Sequence, residues 1–185
     1  TLVLQSSSAT MAITLIMLSM GWIPFNMACA MVLGENIGTT ITANIAASIG
    51  NTQAKRAALS HTIFNVFGVA WALALYNPFL NFVGVITEYM FGLPNPAAEG
   101  FAVTDTGAEE GTAALYGLSM LHTLFNTINT LLLIWFTGWI SKAVSYIIRT
   151  PENQEKEVFR LKYISAGSLA TPELSVEQAF EEIIH

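Results

Sequence analysis

Residues 1–50 read TLVLQSSSATMAITLIMLSMGWIPFNMACAMVLGENIGTTITANIAASIG, and the first 34 of them carry no charged side chain. As one helix, such a run would extend about 51 Å, well beyond the roughly 30 Å hydrocarbon core of a bilayer. Glycine and proline residues divide it into apolar pieces at about 8–20, 25–34 and 39–49. Pieces of this length are typical of re-entrant or half-spanning helices. We therefore expect broken helices over residues 1–50, with unwound backbone facing protein or a water-filled cavity.

The overall composition indicates a membrane protein. Of the 185 residues, 53% are hydrophobic and 11% are charged, against roughly 25% charged in soluble domains. A net charge of −6 leaves no basic surface for nucleic acid, and a single cysteine excludes a disulfide framework. Two further runs, 57–87 and 111–141, lack charged residues apart from one titratable histidine each. We expect an all-α membrane protein with crossing helices at about 57–77 and 113–139.

The distribution of charge predicts the topology. Lysine and arginine flank the two crossings at positions 55, 56, 142 and 149, whereas the loop 88–110 contains acidic residues and no basic one. The positive-inside rule then places the C-terminal tail in the cytoplasm and this loop on the outer side of the cell (inner) membrane. We expect a multi-pass membrane part over 1–148 and a cytoplasmic tail over 149–185, in which Thr171-Pro172 begins a helix.

The first polar cluster is Gln5-Ser6-Ser7-Ser8-Ala9-Thr10, directly before an apolar helix. Serines are good N-caps, and a helix N-terminus offers unpaired N–H groups and a partial positive charge. With three hydroxyl groups and a carboxamide nearby, an oxyanion could be held there without arginine. The same oxygen atoms suit a monovalent cation. Ordinary capping and close helix packing remain the alternative.

The second polar cluster is Gly34-Glu35-Asn36-Ile37-Gly38-Thr39-Thr40. Its two glycines favour an unwound segment, after which the threonines could cap the next half-helix. Glu35 is the sole carboxylate in residues 1–87, and a carboxylate within a membrane segment is a functional candidate because its insertion is costly. It could help to hold a cation or be protonated. Alternatively, it reaches an interface or pairs with Lys55 or Arg56.

A short internal repeat supplies a third polar feature. His61-Thr62-Ile63-Phe64-Asn65 recurs as His122-Thr123-Leu124-Phe125-Asn126. Histidine and asparagine are four residues apart in both copies, so they share one helix face. This polar face could tune a proton-dependent step or could serve as hydrogen-bonding contact between helices. The sequence shows neither a GxSxG elbow nor a phosphate-binding GxxxxGK[ST] loop, and we expect no enzymatic activity.

Together these motifs resemble the type II sodium–phosphate cotransporter family in its bacterial form. The resemblance rests on QSSSAT, on GENIGTTITA about 30 residues later, and on the paired HTxFN segments preceded by Lys55-Arg56-Ala57-Ala58. It implies one half of an inverted-repeat transporter, with the first repeat of the same polypeptide missing from this segment. It also implies a PhoU-like helical domain beginning within 149–185. The implied activity is symport of sodium and inorganic phosphate across the bilayer.

The resemblance also implies site residues, with a co-transported sodium ion in place of a resident cofactor. Phosphate would be bound by Gln5, Ser6, Ser7, Ser8, Thr39 and Thr40. Sodium would be bound by Gln5, Ser6, Asn36 and Thr39, and Glu35 is added for its charge, although it departs from the small or polar residue that we expect there. His61, Asn65, His122 and Asn126 would form a supporting polar helix face. Two other functions remain open: a sodium-dependent carboxylate or anion carrier, and a non-transporting phosphate sensor acting through the C-terminal domain.

Overall fold

A computed structural model of the chain describes residues 1–104 and 107–150, and these residues form helices and loops without a β-strand. The helices belong to one compact unit, Thr1–Ile148. The predicted cytoplasmic linker and PhoU-like segment lie outside the described residues, apart from positions 149 and 150. The elements are α1 (Ser7–Ser19), α2 (Phe25–Ala47), α3 (Thr52–Ala74), α4 (Tyr76–Phe91), α5 (Ala108–Leu133), a 3-10 turn (Ile134–Phe136) and α6 (Thr137–Ile147).

The predicted interruption near Gly21 and Pro24 is present between α1 and α2. Gly21 adopts a left-handed conformation with φ of 69°. Its N–H donates to Leu18 O at 3.0 Å, and the Trp22 N–H donates to Met17 O at 2.9 Å. This is the Schellman arrangement, which satisfies the last carbonyl groups of a helix and reverses the chain. The turn lets α1 pack back against α2.

The predicted break at Gly34–Gly38 is wrong, because α2 runs without interruption from Phe25 to Ala47. The polar side chains of this segment bond within the helix instead of capping a new one. Asn36 Nδ2 donates to Val32 O at 2.9 Å, and Thr39 Oγ1 donates to Glu35 O at 2.9 Å. Each glycine costs a helix about 1 kcal/mol, a penalty that burial of one α2 face between neighbouring helices can offset.

The later helices follow the predicted order with shifted ends. Helix α3 ends at Ala74, three residues before Asn77, and Pro78 lies in the first turn of α4, where its missing N–H is not needed. The second predicted crossing begins earlier and continues through a 3-10 turn into α6. Two helical stretches, Thr52–Ala74 and Ala108–Ile147, are long and apolar enough to cross a membrane.

Helix α5 lies at the centre of the packing. Leu118, Leu121 and Phe125 on this helix are fully buried. On the same face of α5, the buried Asn129 Nδ2 donates to Phe64 O of α3 at 3.1 Å. A side chain at Gly68 would collide with Asn129, since a Cβ there would lie 2.5 Å from Nδ2. The close approach of α3 and α5 therefore depends on this glycine, and it brings the two copies of the repeat to neighbouring helices.

Candidate functional site

Helices α1, α2, α3 and α5 border a cavity of about 400 Å³ that is open to the surface. Its wall carries residues from all three polar features of the sequence, although they are up to 115 positions apart in the chain. Because four helices contribute to it, their packing determines its shape. The lining residues are Ser7, Ser8, Met11, Ala12, Leu15, Glu35, Asn36, Thr39, His61, Asn65 and His122.

The N-terminus of α1 forms one wall. Ser6 is the N-cap, and its hydroxyl accepts a hydrogen bond from the Ala9 N–H at 3.2 Å. The Ser6 and Ser8 hydroxyl oxygens lie 3.1 Å apart. Gln5 precedes the cap with φ of 51°, a left-handed conformation uncommon for residues other than glycine. The serine cluster thus starts a helix whose first turn, with its N–H groups and partial positive charge, borders the cavity.

Helix α2 forms a second wall. Glu35 is buried, with 8% of its surface exposed, and its Oε1 accepts a hydrogen bond from Thr14 Oγ1 of α1 at 3.0 Å. Thr14 is therefore its side-chain partner among the described residues, in place of Lys55 or Arg56. The amide nitrogen of Asn36 bonds to its own helix, which leaves Oδ1 as an acceptor. With the Thr39 hydroxyl, these are oxygen ligands of the kind that hard cations bind.

The two copies of the repeat adopt the same local geometry on α3 and α5. Asn65 Nδ2 donates to His61 O at 3.0 Å, and Asn126 Nδ2 donates to His122 O at 2.8 Å. Both histidines and Asn65 line the cavity. Within the described residues, no group of three or more His, Cys, Asp or Glu side chains is placed to hold a metal ion.

Four predicted site residues are not among those lining the cavity: Gln5, Ser6, Thr40 and Asn126. Thr40 is fully buried and donates to Ile37 O at 2.8 Å within α2. Conversely, the sequence analysis missed Thr14, which reaches Glu35 across 21 positions of the chain. Its spacing of seven residues from Ser7 puts the two on one face of α1, and that spacing was the available signal.

A sequence model of the Na+/Pi-cotransporter family matches residues 1–122 of the chain. The chain belongs to the Na+/Pi-cotransporter family. This is a family of transporters and not of enzymes. Membership and the two long apolar helices together indicate a membrane protein.

Na+/Pi-cotransporter relatives include two curated bacterial proteins. "Uncharacterized protein YqeW" of Bacillus subtilis is 31% identical over 80% of this chain and 40% of its own length. "Putative inorganic phosphate export protein YjbB" of Escherichia coli K12 is 26% identical over 97% of this chain and 28% of its own length. The chain thus spans less than half of the length of either relative. No solved structure gives a significant match.

Proposed function

We propose that this protein carries inorganic phosphate across the cell membrane in symport with sodium. The proposal is supported by the family description and by the composition of the cavity. A cavity lined by serine hydroxyls, asparagine amides and a helix N-terminus offers hydrogen bonds to an oxyanion and oxygen ligands to a cation. The substrates and their coupling belong to the intact protein, in which the first, inverted repeat is expected to supply the other half of the site.

The charge of the cavity carries the argument for a coupled cation. Among the described residues no lysine or arginine lines it, and Glu35 adds a carboxylate. A phosphate anion would meet only the partial charges of the α1 N-terminus and of hydroxyl groups. A bound sodium ion would offset the negative charge and raise the affinity for phosphate. Since coupling free energy is reciprocal, phosphate would raise the affinity for sodium by the same factor.

The residues that line the cavity are the ones that we propose to contact phosphate and sodium directly. Ser7 and Ser8 would donate to phosphate from the first turn of α1, whereas Asn36 and Thr39 would offer oxygen atoms to sodium from α2. His61, His122 and Asn65 would line the wall opposite the serines. Gln5 and Ser6 would act by holding the turn that starts α1, since the Ser6 hydroxyl caps that helix.

Sodium coupling can be tested with the intact protein in proteoliposomes. We expect labelled phosphate to follow an imposed sodium gradient and to stop when potassium replaces sodium. Equal uptake in potassium would contradict the coupling. Reversing the gradient reports direction, which matters because the Escherichia coli relative is named as an exporter. Inhibition by succinate stronger than by phosphate would instead indicate a carboxylate carrier, and phosphate binding without flux would indicate a sensor.

The same assay tests the serines. Removing a hydroxyl that donates to a charged ligand typically weakens binding about tenfold, so Ser7→Ala and Ser8→Ala should each raise the phosphate concentration for half-maximal uptake by about that factor. Ser48→Ala is the matched control, because Ser48 is exposed at the end of α2 and bonds to Ile45 O. Unchanged uptake in both Ser7 and Ser8 variants would remove α1 from the proposed site.

A further inference from the structure

We propose that Glu35 selects substrates that carry an acidic hydroxyl group. Its carboxylate accepts a hydrogen bond from the P–OH group of phosphate, or from the equivalent group of arsenate, and excludes sulfate, which has no such hydrogen. This inference rests on the proposed function. It concerns discrimination between anions: hydroxyl groups can donate to phosphate and sulfate oxygens alike, whereas an ionised carboxylate can only accept and so requires a hydrogen on the ligand.

The first observation is the position of the carboxylate. Glu35 is the only carboxylate side chain that the described residues contribute to the cavity, and it is 8% exposed. An anion bound in this space of about 400 Å³ would share the cavity with that carboxylate. A carboxylate beside an anion site is unfavourable unless something positive or hydrogen-bearing lies between the two charges.

The second observation is how Glu35 is held. Thr14 Oγ1 lies 3.0 Å from Glu35 Oε1 and 3.0 Å from Thr10 O. Thr14 has one hydroxyl hydrogen, and donating it to Oε1 fixes one side of an ionised carboxylate. Within the described part of the chain, Oε2 has no hydrogen-bond partner. The carboxylate is therefore oriented by α1 and keeps one oxygen available to accept from a ligand.

The chemistry of the anions completes the argument. At neutral pH inorganic phosphate and arsenate carry at least one acidic hydroxyl, whereas sulfate carries none. An ionised carboxylate only accepts, so it forms a strong charge-assisted hydrogen bond with P–OH and meets bare oxygen atoms in sulfate. Sites built to pair with a ligand hydroxyl reject analogues without it by large factors, because the buried polar group is left unpaired.

Competition for phosphate uptake in the unaltered intact protein is the first test, and it requires no variant. Arsenate should compete about as well as phosphate. Sulfate and monofluorophosphate, a dianion in which fluorine replaces the hydroxyl, should each compete at least about a hundredfold more weakly. Competition by monofluorophosphate equal to that of arsenate would overturn the inference. Absence of any phosphate uptake would instead contradict the proposed function.

Glu35→Gln is the second test, because the carboxamide keeps the shape and adds an N–H donor. We expect sulfate to become a competitor in this variant and phosphate affinity to fall about tenfold, while uptake still requires sodium. Glu109→Gln, at an exposed position in the first turn of α5, removes the same charge outside the cavity and should leave selectivity as it was. If Glu35→Gln alters sodium dependence and still excludes sulfate, Glu35 is a cation ligand and the inference is wrong.

Discussion

Two glycine-containing segments lie within the first 40 residues, and only one of them interrupts the helix. At Gly21 the chain turns with φ of 69° and starts a new helix at Phe25. At Gly34 and Gly38 the helix continues through both glycines. Glycine permits a turn but does not impose one. The two segments differ in the atoms that pack beside each glycine.

The turn at Gly21 is stabilised both by its own hydrogen bonds and by packing against another part of the chain. Besides its Schellman hydrogen bonds, Gly21 lies under the loop before α5, where a Cβ would be 2.6 Å from Val103 O. Gly34 has nothing within 4 Å of the equivalent position. At Gly34, where the space beside the backbone is open, the helical hydrogen bonds are kept.

The largest loss of stability is expected for Gly21→Ala, at the glycine that interrupts the helix. The left-handed backbone conformation would cost alanine about 1–2 kcal/mol, and the collision of its Cβ with the Val103 carbonyl would cost about 1–3 kcal/mol. We therefore expect the unfolding free energy in detergent micelles to fall by at least about 2 kcal/mol. Gly92→Ala is the control: Gly92 has φ of 66° and no neighbour within 4 Å of a Cβ, so it should show the conformational part alone. Equal losses in the two variants would mean that the Val103 contact contributes nothing.

The second largest loss of stability is expected at the contact between the two segments. The turn at Gly21 brings Thr14 of α1 to Glu35, which lies beside Gly34 in the continuous helix α2. Thr14→Val keeps the shape and removes the donor, leaving a buried carboxylate oxygen without its partner at a cost of about 1–2 kcal/mol. Denaturation in the same micelles should show that loss. Thr123→Val, whose hydroxyl bonds only to Ser119 O on an exposed face, should change stability by less than about 0.5 kcal/mol. If the two variants behaved alike, the contact between α1 and α2 would carry no stability.

The sequence predicted the features that depend on local chemistry. Gly21 followed by Pro24 identified the turn, the serine run identified the start of α1, and the uncharged runs identified the two long apolar helices. The His–Asn spacing placed each repeat on one helix face, and both copies bond identically. These features follow from backbone conformation, capping and hydrophobic length, which residues close in the chain determine.

The features that the sequence did not predict depend on tertiary contacts. Helix α2 continues through both glycines, and its polar side chains bond within the helix, as Asn36 does to Val32 O. The Thr14–Glu35 contact requires the direction of the α1–α2 turn, and the exclusion of Thr40 from the cavity requires the rotation of α2 about its axis. The spacing of glycines in the sequence determines neither the direction of the turn nor the rotation of α2.

The smallest effect has the opposite sign and tests the continuity of α2 directly. If Gly34 is an ordinary helical residue, Gly34→Ala should raise the unfolding free energy by about 0.5–1 kcal/mol, since alanine restricts the unfolded chain and meets nothing in the helix. Gly38→Ala should gain less, because its Cβ would lie 3.0 Å from the Thr1 Cβ. A loss of stability in Gly34→Ala would contradict the description of Gly34 as an ordinary helical residue with open space beside it.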